Sequence, residues 1–126
     1  MRLIELFTES KTGKKETNED GIYFVSPFAA VIDGTTSKDD KTFGNITGGR
    51  FAMECIVKAL ERVSAELMPY DLIKEINLSL AKEIDKRGYE YGPSAVLVIY
   101  NDIRKELISY GDGPYCINGK KYIYKK

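Results

Sequence analysis

Acidic residues mark three junctions between predicted strands and loops. Glu19 and Asp20 precede one short apolar run, and Asp33 directly follows the next. The third acidic motif contains Asp112, in the 111–114 turn. A hairpin between the first two runs would bring Glu19, Asp20 and Asp33 together, and carboxylates that close repel one another unless a cation lies among them. Since oxygen ligands without histidine suit Mg²⁺ or Mn²⁺, we expect part of a divalent-metal site here.

The alternative interpretation of each acidic motif is an ordinary turn. Asn, Asp and Gly are the residues from which turns are built, so no single motif is specific. Only their conjunction at three strand ends favours a metal site. An unrelated α+β interaction domain, whose acidic turns are only turns, therefore stays open.

Composition excludes several classes of function. The chain has no histidine, which excludes Ser-His-Asp and Cys-His nucleophiles in their common form and histidine-ligated zinc. Basic and acidic residues balance at 19 each, so net charge gives no reason to expect nucleic-acid binding. No apolar run approaches the roughly 20 residues of a membrane span. The two cysteines, Cys55 and Cys116, have no paired spacing, and we expect a cytoplasmic protein.

Hydrophobic periodicity predicts a single α+β domain over residues 1–126. A stripe with steps of three and four predicts a helix over residues 48–67, which Pro69 ends. Asp71 is the expected N-cap of a second helix, residues 71–87, which stops at Gly88. The predicted strands are residues 3–8, 22–25, 28–32, 95–100, 106–110, 115–117 and 121–124. This order predicts a mostly antiparallel sheet with one helix pair, in which the apolar 95–100 strand is covered on both faces.

These motifs, in this order, resemble those of the type 2C (PPM) metal-dependent protein serine/threonine phosphatases. Residues 15–20 resemble the segment that carries a basic phosphate-binding residue and a metal-binding Glu-Asp pair. Residues 31–34 resemble the Asp-Gly signature that follows an apolar strand. Further matching pieces, spread over nearly the whole chain, are 48–49, 92–95 and 109–113, the last similar to the Gly-Asp-Ser motif of the family.

The resemblance implies a fold, a cofactor and a role for each matched residue. The family fold is an α-β-β-α sandwich, and its cofactor is a binuclear Mn²⁺ or Mg²⁺ centre. Asp33 would bridge the two ions, and Asp20 would orient the attacking water. Lys15 would hold the phosphate of a phosphorylated protein substrate. The remaining metal ligands would be Glu19, the carbonyl of Gly34, and Asp112.

The chain departs from the family pattern at several positions. Lys15 stands where the family usually has arginine, Thr35 where it often has histidine, and Gly113 where it has serine. The later Asp-Gly and Asp-Asn motifs of the family are missing, and members are about twice this length. The resemblance therefore implies the N-terminal half of such a domain, weakly active alone and completed by a second copy or by a C-terminal half. The alternative is a non-catalytic module that binds a metal or a phosphorylated partner.

Overall fold

The computed structural model describes residues 1–3, 5–35, 42–89, 92–111 and 115–123. Its centre is an antiparallel four-stranded sheet with strand order β1-β2-β5-β6, and two helices pack on one face of that sheet. The strands of this sheet are β1 (Asp20–Val25), β2 (Phe28–Gly34), β5 (Ala95–Asn101) and β6 (Glu106–Tyr110). The helices are α1 (Gly48–Leu60) and α2 (Pro69–Lys86). The predicted α+β class, the antiparallel sheet and the single helix pair are confirmed.

The sheet forms because apolar residues alternate along its strands. In β2, Phe28, Ala30 and Ile32 are buried against the helices, and in β5 Leu97 and Ile99 are buried on the same face. The opposite face is only half covered, since Val96, Val98 and Tyr100 of β5 are half-buried. Val31, on this opposite face of β2, is 59% exposed. The expectation that strand 95–100 is covered on both faces therefore holds only in part.

Helix α1 begins where predicted and ends earlier. Thr47 is its N-cap, and the Thr47 hydroxyl accepts a hydrogen bond from the Arg50 amide at 3.3 Å. The helix ends at Leu60, not at residue 67, and its last turn tightens as the Arg62 amide bonds the Ala59 carbonyl. The Ser64 hydroxyl then accepts from the Glu66 amide, and such local side-chain bonds compete with a helix.

Helix α2 corrects the predicted N-cap. The cap is Met68, and Pro69 occupies the first turn, where its missing N–H would have no partner anyway. Asp71 is therefore a first-turn acid that complements the helix dipole. The predicted stop is confirmed, because Gly88 adopts a φ of +74° directly after the C-cap Arg87. Among the described residues, no helix is both long and apolar enough to cross a membrane.

The predicted strand over residues 3–8 is wrong. The described part of this segment has no regular structure, and its apolar side chains Leu3, Leu6 and Phe7 are 48%, 47% and 73% exposed. A strand needs a partner, and among the described residues none pairs with this segment. The contacts that hold it are polar: Thr8 accepts a hydrogen bond from Asn18.

Two small hairpins complete the described chain. The first, β3 (Thr42–Phe43) with β4 (Ile46–Thr47), was not predicted because its strands are two residues each. The second pairs β7 (Tyr115–Ile117) with β8 (Lys120–Tyr122), one residue earlier than the predicted start at 121. Its Asn-Gly turn is confirmed, with φ of +50° at Asn118 and +80° at Gly119.

One buried polar side chain ties the helices to the sheet. Asn101, at the end of β5, is fully buried. Its Nδ2 donates to the Ala65 carbonyl at 2.7 Å, and its Oδ1 accepts from the Ile103 and Arg104 amides at 3.1 and 3.4 Å. The amide thus joins the α1–α2 connection to the turn between β5 and β6.

We expect Asn101→Ala to lower the free energy of unfolding by about 1–3 kcal/mol, because it leaves buried backbone groups without partners. The matched control is Asn77→Ala, since Asn77 is exposed and its one bond, to the Tyr110 hydroxyl, is 3.4 Å long. Urea unfolding followed by circular dichroism measures both. Equal losses in the two variants would show that Asn101 has no special role.

Candidate functional site

Asp20 and Asp33 face each other across the β1–β2 hairpin. They are direct partners in the strand register, and both lie on the sheet face away from the helices. The two carboxyl groups can hydrogen-bond when one of them carries a proton, and this interaction raises the pKa of Asp33. The hairpin therefore brings these two carboxylates together as the sequence predicted, because the turn at 26–27 fixes the register.

The Glu19 side chain is held at the start of α1. Its Oε2 accepts a hydrogen bond from the Thr47 hydroxyl at 3.1 Å, beside the first turn of α1. Successive residues of an extended chain project to opposite sides, so Glu19 and Asp20 cannot both face Asp33 in the same way. Among the described residues, no three acidic or cysteine side chains form a group that could hold a metal ion. Asp20 and Asp33 are thus paired as expected, and Glu19 lines the same cavity while it is bonded to Thr47.

The end of β2 and the start of α1 are in close backbone contact. A Cβ on Gly34 would lie 2.0 Å from the Gly49 carbonyl oxygen, and a Cβ on Gly49 would lie 2.1 Å from Glu19 Oε2. The Gly34 amide also donates to the Glu19 carbonyl at 2.9 Å. Only glycine fits at these two positions, so the helix end, the strand end and the Glu19 side chain hold one another in place.

Arg50 fastens the loop before β1 to α1. Its Nη1 donates to the Lys15 carbonyl at 2.6 Å and to the Asn18 carbonyl at 3.1 Å, while its Nε pairs with Glu54 at 3.0 Å. The sequence analysis missed this residue. A signal was present, because Arg50 directly follows the two glycines that open a helix, but nothing in the sequence identified its partners more than 30 residues away.

A small cavity adjoins the carboxylate pair. It has a volume of about 40 Å³, enough for an ion or for more than one water molecule. It is lined by Glu9, Lys11, Thr17, Asn18, Glu19, Asp20 and Asp33. Lys11 is the lysine of this lining, whereas Lys15, the predicted phosphate-binding residue, is exposed on a short 3₁₀ turn and does not line the cavity. No sequence motif had pointed to Lys11.

Gly34 and Thr35 lie where β2 ends. Gly34 is buried at the end of β2. Thr35 accepts a hydrogen bond from the Ser94 hydroxyl at 3.1 Å, and its amide donates to the Ser94 carbonyl at 2.8 Å. These bonds join the end of β2 to the start of β5. Asp112 lies outside the described residues.

The Asp33 carboxyl group is harder to ionise than a solvated one. Partial burial raises the pKa of Asp33, and the hydrogen bond and negative charge of Asp20 raise it further. The Lys11 cation opposes this by lowering the pKa, and Glu19 adds to the rise. Asp33 is an exposed residue as a whole, so the neighbouring charges, which cluster around the cavity, are the more telling cause.

The arrangement offers a negatively charged pocket with one cation at its rim. Such a set can bind a hard cation through oxygen atoms and can place a lysine near an anion that the cation attracts. No protein-family model, curated protein or solved structure matches this chain. The geometry and the sequence motifs therefore carry the argument for function.

The raised pKa of Asp33 predicts how stability changes with pH in chelator-treated protein. A carboxyl group whose pKa rises on folding binds its proton more tightly in the folded chain. Stability therefore falls as pH rises from the unfolded pKa of about 3.9 through the folded value. Above that window the ionised Asp20–Asp33 pair is unfavourable, so Asp33→Asn is expected to raise Tm at pH 7 and to leave it unchanged well below pH 3.9.

Asp102→Asn is a control of opposite sign. A hydrogen bond from Lys105 lowers the pKa of Asp102, so this carboxylate stabilises the fold above its unfolded pKa and that contribution is lost as pH falls. Asp102→Asn should lower Tm at pH 7. Thermal unfolding of both variants across pH 3–8 makes the comparison, and a lower Tm for Asp33→Asn at pH 7 would contradict the assignment.

Proposed function

We propose that this chain carries part of a metal-dependent phosphatase site of the PPM type, which hydrolyses Ser/Thr phosphomonoesters. The observation that carries the proposal is the Asp20–Asp33 pair, held in register at the mouth of a cavity that Lys11 also lines. The sequence motifs around it, Asn-Glu-Asp and Asp-Gly, resemble those of the family in their order along the chain. Neither the pair nor the motifs would be persuasive alone.

The donor set fits a small divalent cation. Asp20 and Asp33 supply carboxylate oxygens, and the polar residues Thr17 and Asn18 also line the cavity. Mn²⁺ or Mg²⁺ bound there would supply Lewis acidity that activates the attacking water. Two like charges placed opposite each other are unfavourable in a bare sheet, so a cation between them is also what the electrostatics favour.

The other residues of the site would position the substrate and the ligands. Lys11 lines the same cavity as the pair and would attract the phosphate, while Lys15, exposed on the neighbouring turn, would be a second contact. The Thr47 hydroxyl and Gly49 hold the Glu19 side chain at the start of α1. Glu19 also lines the cavity, and its hydrogen bond with Thr47 fixes one of its carboxylate oxygens.

A second candidate function is a binding module without turnover. It is favoured because no three acidic side chains group into a metal site among the described residues, and a pair of carboxylates gives fewer protein ligands than a binuclear centre needs. Such a module would bind a metal ion, or a phosphorylated partner through Lys11, and would release it unchanged. Metal binding without hydrolysis distinguishes it from the phosphatase.

Metal binding should depend on the carboxylate pair. In a calorimetric titration with Mn²⁺, the wild-type chain should bind weakly, because only part of a coordination shell is present. Asp33→Asn should lose the binding heat, since it removes an anionic ligand without changing the size of the side chain. Asp85→Asn, an exposed acid on α2, is the control and should bind as the wild type does. Equal heats for wild type and Asp33→Asn would remove the basis of the proposal.

Hydrolysis by this chain alone should be slow. With 4-nitrophenyl phosphate and Mn²⁺, we expect a turnover well below the enzyme range of about 1–10³ s⁻¹, because the missing ligands cost positioning and charge stabilisation. Asp33→Asn should abolish what remains, and Asp85→Asn should not. Release of nitrophenolate measures the rate. A turnover within that range would contradict the incomplete site, and no turnover despite metal binding would favour the binding module.

A further inference from the structure

An apolar groove runs between α2 and the edge strand β6, far from the carboxylate pair. Its volume is about 610 Å³, and its walls are mostly apolar. On α2 it is lined by Tyr70, Ile73 and Leu78, and on β6 by Ile108 and Tyr110. Tyr70 is 79% exposed, Leu78 45% and Tyr110 44%. Large apolar side chains grouped in this way mark a surface that another molecule covers.

The strand beside the groove is also open. In the sheet order β1-β2-β5-β6, β6 pairs with β5 on one side, and within the described part of the chain no strand pairs with its other side. An unprotected edge of this kind carries a row of amide and carbonyl groups that can accept another strand. The short β6 has one charged residue, Glu106, at its first position, so little in the strand opposes such pairing.

We propose that this edge and groove bind a second copy of the chain. The β6 strands of the two copies would pair antiparallel about a two-fold axis perpendicular to the sheet, which joins two four-stranded sheets into one continuous sheet. The same axis places α2 of one copy antiparallel to α2 of the other, on the same face. At the usual helix separation of about 8–10 Å, each α2 would fill the groove of its partner.

Charge complementarity sets the register. Arg104, just before β6, donates a hydrogen bond to the carbonyl of Glu66, just before α2. Farther along both elements, Asn77 of α2 donates to the hydroxyl of Tyr110 of β6 at 3.4 Å. β6 and α2 therefore run in the same direction. With Ile108 on the two-fold axis, Glu106 lies opposite Tyr110 of the partner subunit. Lys74 lines the same groove as Tyr110, so the Glu106 carboxylate of each copy would meet the Lys74 ammonium of the other.

The apolar side chains of β6 suit this register. Glu106, Ile108 and Tyr110 share the helix-side face, because Ile108 is buried there and residues two apart lie on one face. At the two-fold axis, Ile108 would contact Ile108 of the partner subunit, so the hydrophobic cores of the two copies would be continuous. This inference does not depend on the phosphatase proposal, because neither the groove nor the edge includes a residue of the carboxylate site.

Sedimentation equilibrium over about 1–100 μM protein tests the interface. We expect a monomer–dimer equilibrium in the wild type. Leu78→Glu should raise the dimer Kd at least about tenfold, because it places a charge in the apolar contact. Tyr70→Glu, at a more exposed position, is a second variant with the same expected effect. Circular dichroism confirms that each variant is folded.

A charge exchange tests the register. Lys74→Glu and Glu106→Lys should each weaken the dimer, and the double variant should recover most of the affinity. Glu106→Lys also breaks the Glu106–Arg104 ion pair within one copy, but that loss alone could not lead to a recovery in the double variant. Lys82→Glu, exposed on α2 outside the groove, should leave Kd unchanged. The proposal is overturned if the chain is monomeric throughout, if the double variant shows no recovery, or if Val31→Glu on the opposite sheet face disrupts the dimer while Leu78→Glu does not.

Discussion

The contact between the Gly34 and Gly49 backbones is the constraint on which the arrangement around the carboxylates depends. A helix can approach the end of a strand this closely only where neither chain carries a side chain, and here both are glycine. The contact puts the first turn of α1 behind the site, where Thr47 receives Glu19. It also places Arg50 within reach of the Lys15 and Asn18 carbonyls, so the loop and the helix form one support.

This support holds the carboxylates of Asp20 and Asp33 close together, although their mutual repulsion is unfavourable when no metal ion is bound. Strand register, not attraction, makes Asp20 and Asp33 neighbours. Like charges opposite each other in a sheet are destabilising, and the raised pKa of Asp33 expresses that cost. The positive charge of Lys11, which lines the same cavity, reduces this electrostatic cost. A cation would therefore bind more favourably beside this accessible pair of carboxylates than at an uncharged surface.

Much of the fold could be predicted from local patterns. Short apolar runs identified β1, β2 and β5, alternation identified β6, and the turn chemistry of Asn118-Gly119 identified the last hairpin. The end of α1 could not be found in this way, because Val63 and Leu67 continue the apolar stripe although they pack from an irregular segment. Apolar periodicity reports which residues are buried, and a turn can bury them as well as a helix can.

Local patterns predicted part of the candidate site as well. A hairpin between two short strands was enough to bring Asp20 and Asp33 together. The direction of Glu19 depended on a hydroxyl 28 residues away, and the place of Lys11 depended on how a polar loop folds over the sheet. Contacts of this kind depend on tertiary packing, which no local pattern of residue types encodes.

The buried Asn101 amide has a consequence for the order in which the chain folds. Its bond to the Ala65 carbonyl joins residues 36 positions apart, and the segment between them includes all of α2 and β5. Closing a loop of that length costs chain entropy, which the free energy of the hydrogen bond must offset. We therefore expect the bond to Ala65 to form late, once α2 has docked and β5 has joined the sheet. A contact that is absent from the folding transition state slows unfolding more than it speeds folding.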